Sequence, residues 1–361
     1  NAFSVLNLAR NIQMLDCGGM EGLCDRMGQA MGVSGAEFAS VFQYDAGWFY
    51  ADAMNSILCR VTDIGLEETC EYLGQMSKIY TSDRMFEQLA YSPMILADVL
   101  SAMQSMGGLD ELVNSLCQTY SYSDVVYAMQ DMGMASLSRV NTDDLPELIS
   151  NRINSQDDGR PLAVVIYPSA DYNGAFMSGS GSVHQLIEHG YRVMYYEADT
   201  DTEIEVCLVN GTQNGAVPAA VLIVGGHGSQ QSLSLGCSEG EECLVDFSDY
   251  GQLSGLRDML ADGGTIILYS CSNGQGLNEQ ANMANMWAQL FPNAAHVFSM
   301  TEPSNIESLT FSSDNKVTDV TFGCDTYDAA LYDTDFSFTF NGIDEEELYL
   351  KIEIGYQEIK D

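Results

Sequence analysis

"VLIVGGHGSQ", residues 221–230, decides the fold. A short apolar run stops at Gly225-Gly226-His227-Gly228, so one of only four histidines in the chain stands at the mouth of a buried strand, between glycines. "GGTIILYSCSNGQG", residues 263–276, has the same build: an apolar run that closes on Ser270-Cys271 and then turns through Asn273, Gly274 and Gly276. The interval between the two stretches is long enough for one crossover with its helix.

Working outward, strand-like and helical runs alternate. "LAVVIY" (162–167), "YRVMYYEA" (191–198), "AAVLIV" (219–224), "TIILYS" (265–270) and "AHVFSM" (295–300) are the expected strands. "SVHQLIEHG" (182–190), "EIEVCLVNG" (203–211), "YGQLSGLRDMLADGG" (250–264) and "LNEQANMANMWAQLF" (277–291) are the expected helices. Nearly unbroken apolar strands separated by helices predict an α/β fold, a mostly parallel sheet covered on both faces. The tail differs: "VTDVTF", "FSFTF" and "LYLKIEI" alternate and are expected as peripheral strands.

The first part of the chain has another texture. "LEETCEYLGQM" (66–76), "RMFEQLAY" (84–91), "MILADVLSAMQSM" (94–106) and "LDELVNSLCQTY" (109–120) carry apolar residues at three-and-four spacing, with a stop at Met106-Gly107-Gly108 and a start at Ser123-Asp124. The expected architecture is therefore an all-α helical domain over residues 1–157 followed by the α/β domain over 158–361, joined at the polar segment "NRINSQDDGRP" (151–161).

Composition narrows the function. The chain has 361 residues, an apolar share of 46% and a net charge of −39 from 52 acids against 13 Lys plus Arg. No basic stripe is present to neutralise phosphates, so nucleic acid and anionic membranes are poor partners. No apolar run approaches the ~20 residues needed to span a bilayer. The segment that begins at Asn1 has no basic-then-apolar leader, and the sequence is silent on export. Of the ten cysteines, Cys237 and Cys243 bracket "SEGEE" and have the spacing to close a small loop; no pair has zinc-ligand spacing. A free Cys271 leaves an odd number, which argues against a fully disulfide-bonded secreted protein and leans towards a cytoplasmic one.

In a parallel sheet, chemistry gathers at the carboxyl ends of the strands. His227 and Cys271 both stand there, and on neighbouring strands they emerge about 5 Å apart plus side-chain reach. An imidazole that takes the proton of a thiol makes a nucleophile. The amides of Gly228 and Cys271 are candidates for an oxyanion hole, and glycines 225, 226 and 228 leave room for a substrate backbone. The turn after Cys271 is expected to lead into a helix whose N-terminus favours negative charge. Taken singly, a strand-end cysteine and a turn histidine each have an ordinary structural reading; it is their joint placement that points to catalysis. His184, His189 and His296 lack that setting and are read as structural or surface residues.

Strand, His-Gly, crossover, strand, small residue-Cys resembles the caspase-like superfamily of cysteine peptidases over about residues 160–305. That group includes caspases, metacaspases, clostripain, gingipains, legumain and separase. The resemblance implies a caspase-like α/β domain and a cysteine endopeptidase in which His227 is the general base or acid, Cys271 the nucleophile and Gly228 the oxyanion donor. Tyr269-Ser270, not Gln-Ala, precedes the cysteine, so the likeness is to the superfamily and not to caspases proper. None of Arg160, Arg192 and Arg257 stands at a strand's carboxyl end, as cleavage after Asp would require. Asp171 and Glu302, after the first and fifth strands, stand where basic-specific relatives keep acidic pocket residues, so a basic residue before the cut is expected. The linker holds Arg152 and Arg160, and self-processing there is a corollary. Some relatives respond to Ca²⁺, and "DTDTE" (199–203) or "DEEE" (344–347) carry suitable carboxylates, but charge runs are ordinarily solvated faces, and neither metal nor cofactor is expected.

Two other readings fit the same residues. One is a catalytically inactive caspase-like signalling or adaptor protein whose helical part binds a protein partner. The other is an unrelated α/β domain in which "GGHGS" cradles an anion, although neither a P-loop lysine nor GxGxxG spacing is present.

Overall fold

The computed structural model describes residues 2–41, 49–92, 94–169, 171, 175–176, 180–235, 243–333 and 336. The strands are β1 (Leu162–Pro168), β2 (Arg192–Ala198), β3 (Ala219–Gly225), β4 (His227–Gly228), β5 (Ser232–Ser234), β6 (Leu244–Asp246), β7 (Leu260–Tyr269), β8 (His296–Met300), β9 (Ile306–Phe311), β10 (Val317–Phe322) and β11 (Thr326–Asp328). Six of them form one sheet in the order β11-β8-β7-β3-β1-β2. All neighbours in it run parallel except β11, which pairs antiparallel with β8 at the edge. The architecture is thus a mostly parallel central sheet with helices, preceded by a helical region. β4, β5 and β6 form a small antiparallel sheet directly after β3.

The sheet is buried on both faces because its central strands are largely apolar, and alternate residues feed two different cores. Leu162, Val164 and Ile166 of β1 pack with the helices Asp201–Gly211 and Met283–Leu290, where Trp287 stacks on Phe291. Ala163, Val165 and Tyr167 point the other way, into a core shared by the helix Ser180–Glu188, the β9–β10 hairpin and the N-terminal helices. Val193 and Tyr195 of β2 and Leu148 and Ile149 of the helix Leu145–Ile153 lie in this one continuous cluster.

The helical region follows its sequence signals closely. The helix Met94–Met106 stops at Gly107 and Gly108, both at positive φ. Ser121, two residues before the expected start, caps the helix Tyr122–Met132 by accepting the Asp124 amide at 3.2 Å. The expected helices at 66–76 and 84–91 are Leu66–Ile79 and Ser82–Tyr91, and that at 109–120 ends earlier, at Leu116.

Two expected helices differ. Residues 250–264 form a single α-turn, Tyr250–Leu253, a 3₁₀ stretch Ser254–Met259, and then strand β7, which begins at Leu260. Gly255 and the Gly263-Gly264 pair weaken a helix there, and Gly263 is at positive φ. Residues 277–291 give one 3₁₀ turn, Leu277–Glu279, and a helix only from Met283, where the Asn282 side chain accepts the Asn285 amide. "VTDVTF" is β10, whereas "FSFTF" and "LYLKIEI" run into residues outside the described ones.

Candidate active site

The register of the sheet brings the two quoted stretches level. Gly225 of β3 pairs with Tyr269 of β7, so His227 and Cys271, each two residues further on, leave the same edge side by side. The Gly226 amide donates to the Tyr269 carbonyl at 3.2 Å and continues the pairing past the strand ends. The His227 side chain is 15% exposed and Cys271 is half-buried, so the edge remains open to solvent at this point.

The glycines serve the protein's own packing. A Cβ at Gly225 would lie 2.7 Å from the Tyr167 ring, and one at Gly226 would lie 2.8 Å from the Ser234 carbonyl oxygen. Gly228 is the position that faces the Cys271 turn: a Cβ there would collide with Ser270 Oγ and lie 2.7 Å from the Cys271 carbonyl oxygen and 2.9 Å from Asn273 Nδ2. The room at 225 and 226 that the sequence assigned to substrate is therefore filled by the chain itself. Asn273 Nδ2 donates to the carbonyls of Ser229 (2.6 Å) and Ser232 (3.0 Å), which ties the turn after β7 to the hairpin after β3. Cys271 opens a turn with Ser272 at φ 59, and the Gly274 amide returns to the Met300 carbonyl at 2.8 Å. No helix N-terminus follows the cysteine directly, because the next α-helix starts at Met283 with its own side-chain cap.

Asp171 is the main departure from the sequence reading. Expected as a wall of a substrate pocket, it is 1% exposed, and its Oδ1 lies 3.3 Å from His227 Nε2. The amides of Ala175 and Phe176 donate to its two oxygens at 3.1 and 2.9 Å, and its own amide donates to Ser92 Oγ. A carboxylate engaged on both oxygens and turned inward cannot also receive a substrate side chain. Burial acts to raise its pKa, but the hydrogen bond to His227, the charge of Arg139 and the Phe176 amide outweigh it, and the carboxyl is held below its usual range. The Phe176 ring meets the His227 ring edge-on at 5.4 Å and the Tyr269 ring at 5.3 Å, closing the inner side of the imidazole.

Burial also raises the Cys271 thiol, partly offset by the Ser304 backbone amide, which favours the thiolate. The resting sulfur is thus protonated near neutrality, and its activation requires a base. His227, whose Nε2 lies 3.3 Å from Asp171 Oδ1, is the imidazole at the neighbouring strand end.

Glu302 stays exposed and borders a cleft beside the turn Gln275–Leu277, which Asp319, Asp325 and Asp328 also line. Its surroundings remain acidic and open, unlike those of Asp171. In the run 199–203, Thr200 caps the helix Asp201–Gly211 and the Asp199 amide donates to Glu203, so these groups serve local structure; the run 344–347 lies outside the described residues. Among the described residues no group of three or more His, Cys, Asp or Glu is arranged to hold a metal ion, and no helix is long and apolar enough to cross a membrane. Cys243 is disulfide-bonded, while Cys237 lies outside the described residues. His184 pairs with Asp144 at 3.0 Å and His189 stacks on Phe311, while His296 pairs with Asp328 at 2.7 Å on the wall of the cleft that Glu302 borders.

The residues that sequence reasoning missed are those behind Asp171. Arg139, in the helix Ser136–Arg139, is fully buried with Nη2 at 4.0 Å from Asp171 and Nη1 at 3.8 Å from Glu197. Glu197 at the end of β2 was legible as an acid closing an apolar strand; nothing local marks Arg139. No family model matches the chain, and neither a curated protein nor a solved structure matches it.

Proposed function

We propose that the chain is a cysteine endopeptidase of the caspase-like superfamily, with Cys271 as nucleophile and His227 as general base. The observation that carries this is the level placement of His227 and Cys271 on adjacent parallel strands, with a buried carboxylate on the far nitrogen of the imidazole. The sheet order, with its antiparallel edge strand β11 and the small sheet inserted after β3, is compatible with such a domain.

In the proposed reaction, His227 Nδ1 takes the Cys271 proton as the sulfur attacks the scissile carbonyl. Asp171 holds the imidazole in the tautomer with Nε2 protonated and stabilises the imidazolium. The oxyanion faces the backbone around Gly228 and Cys271. His227 then returns the proton to the leaving amine, and water, deprotonated by the same imidazole, hydrolyses the thioester. Preference for a basic residue before the cut rests on Glu302 and the acidic cleft beside it, with Asp171 withdrawn from that role. Both linker arginines are paired, Arg152 with Asp131 and Arg160 with Glu147 and Asp158; Arg152 lies inside the helix Leu145–Ile153, so self-processing is proposed at Arg160, which follows the exposed residues 154–159.

The test is a fluorogenic peptide panel varied at the residue before the cut. Cleavage after Arg or Lys that vanishes in both Cys271→Ala and His227→Ala supports the proposal. Labelling of wild type and both variants alike by a thiol-directed probe, with no peptide cleaved, would instead favour an inactive adaptor.

A further inference from the structure

We propose that Arg139, supplied by the helical region, is a positioning residue of the active site: a buried cation that holds the Asp171 carboxylate against His227, the proposed general base. This rests on the peptidase reading and extends it, because it makes the helical region part of the catalytic centre.

Three observations carry it. First, the side chains of Arg139, Asp171 and Glu197 are 0%, 1% and 4% exposed, so one cation and two carboxyl groups share a site shut off from water. Second, two separate stretches of the helical region converge on this point, the helix Ser136–Arg139 and the helix Ser82–Tyr91 with its cap Ser92. Arg139 donates to the Pro168 carbonyl at the end of β1. Gln88 donates to Glu197 at 2.8 Å. Ser92 accepts the Asp171 amide. Third, Gly133 at the end of the helix Tyr122–Met132 is pressed so close to the Glu197 carboxylate that a Cβ there would overlap it. Side chains of this length are rarely buried together unless their charges are used.

The physical consequence has a definite sign. With Arg139 in place, the buried Asp171 carboxylate has a counter-charge behind it. Removing the cation leaves a buried negative charge, and the Asp171–His227 pair then takes up a proton at higher pH. The pair would then be unable to act as base over more of the neutral range. The other groups that face this trio are Tyr195, in electrostatic contact with Arg139 and Glu197, Tyr167 beside Arg139, Tyr80 and Asp199 near Glu197, and Asp98 of the helix Met94–Met106, which lies near Asp171 and Arg60. None of them supplies a second cation to Asp171.

The experiment measures kcat/KM against pH for an arginyl fluorogenic peptide and reads the acid limb. In Arg139→Gln, which keeps an N–H for Pro168, the limb is expected to move up by about one pH unit, and the rate at pH 7 to fall about tenfold or more. In Asp171→Asn the limb moves down. In the double variant it lies close to that of Asp171→Asn, since Arg139 acts through Asp171. Arg139→Lys restores most of the wild-type profile. Arg139→Gln/Glu197→Gln removes the cation with its second anion and serves if the single variant is poorly folded; the limb again moves up. An unmoved limb in folded variants, or losses that add independently of Asp171, would overturn the proposal. Absence of wild-type cleavage, or cleavage indifferent to Cys271 and His227, would overturn the peptidase reading instead.

Discussion

Gly228 carries the tightest steric requirement in the site. It lies against the backbone and side chains that follow β7, and any Cβ must displace Ser270, Cys271 or Asn273. In Gly228→Ala the hairpin after β3 is pushed off the cysteine turn. We expect a loss of about tenfold or more in kcat/KM, because donors aimed at the oxyanion tolerate little displacement. The thermal midpoint should fall only modestly, since the contact is at the sheet's edge; an active variant would remove the backbone near Gly228 from the mechanism. His227 and Cys271 were legible because each sits in a local pattern, an apolar strand that ends abruptly in small residues. Asp171 was legible as a position but not as a partner. Its role depends on which way a side chain turns in a loop, and that is decided by Ser92, Ala175 and Phe176 together.

Among the elements, the seam between β2 and the helical region buries a carboxyl beside a cation. Glu197 is pushed up to about 7 by burial, against the pull of Arg139 and Gln88. Its folded pKa lies above its unfolded value, so the folded protein binds the extra proton. This contribution to stability is complete below the unfolded value of 4.5 and is lost as pH rises through about 7. In Glu197→Gln that dependence disappears. Between pH 5 and 7, the wild-type stability should fall relative to the variant by up to roughly 1.4 kcal/mol per pH unit. Urea titrations of both proteins at several pH values check it, and parallel stability curves would contradict it. The same scale shows where periodicity misleads. Residues 250–264 have a helical pattern, yet their glycines and the pull of the parallel register turn the second half into β7. The strands were easier to recognise because a strand buried on both faces needs only an unbroken apolar run.

For the whole molecule, the change of texture near residue 157 does not divide the core. One continuous apolar cluster runs from Leu23 through the helical region to Val193, Tyr195 and Tyr269 of the sheet and on to the β9–β10 hairpin. Elements that share a core and a buried ion network unfold together. Scanning calorimetry on the full chain is expected to give one cooperative transition, and removal of the helical region should leave an aggregation-prone remainder with an uncovered sheet face. Two well-separated transitions would show that the helical region is an independent unit. The net charge of −39 opposes compaction throughout, and added salt should raise the midpoint by screening it.

Local sequence was sufficient to determine the alternation of strands and helices, the helical character of the first part, and the two strand ends where His227 and Cys271 stand. Periodicity and glycine punctuation act over a few residues, and so they are written where they act. Folding alone decided that β3 and β7 lie side by side in level register, that Asp171 turns inward to His227, and that Arg139 arrives from the helical region to balance it. Those facts depend on pairings between residues far apart in the chain, where burial makes each charge choose a partner, and no short stretch of sequence records that choice.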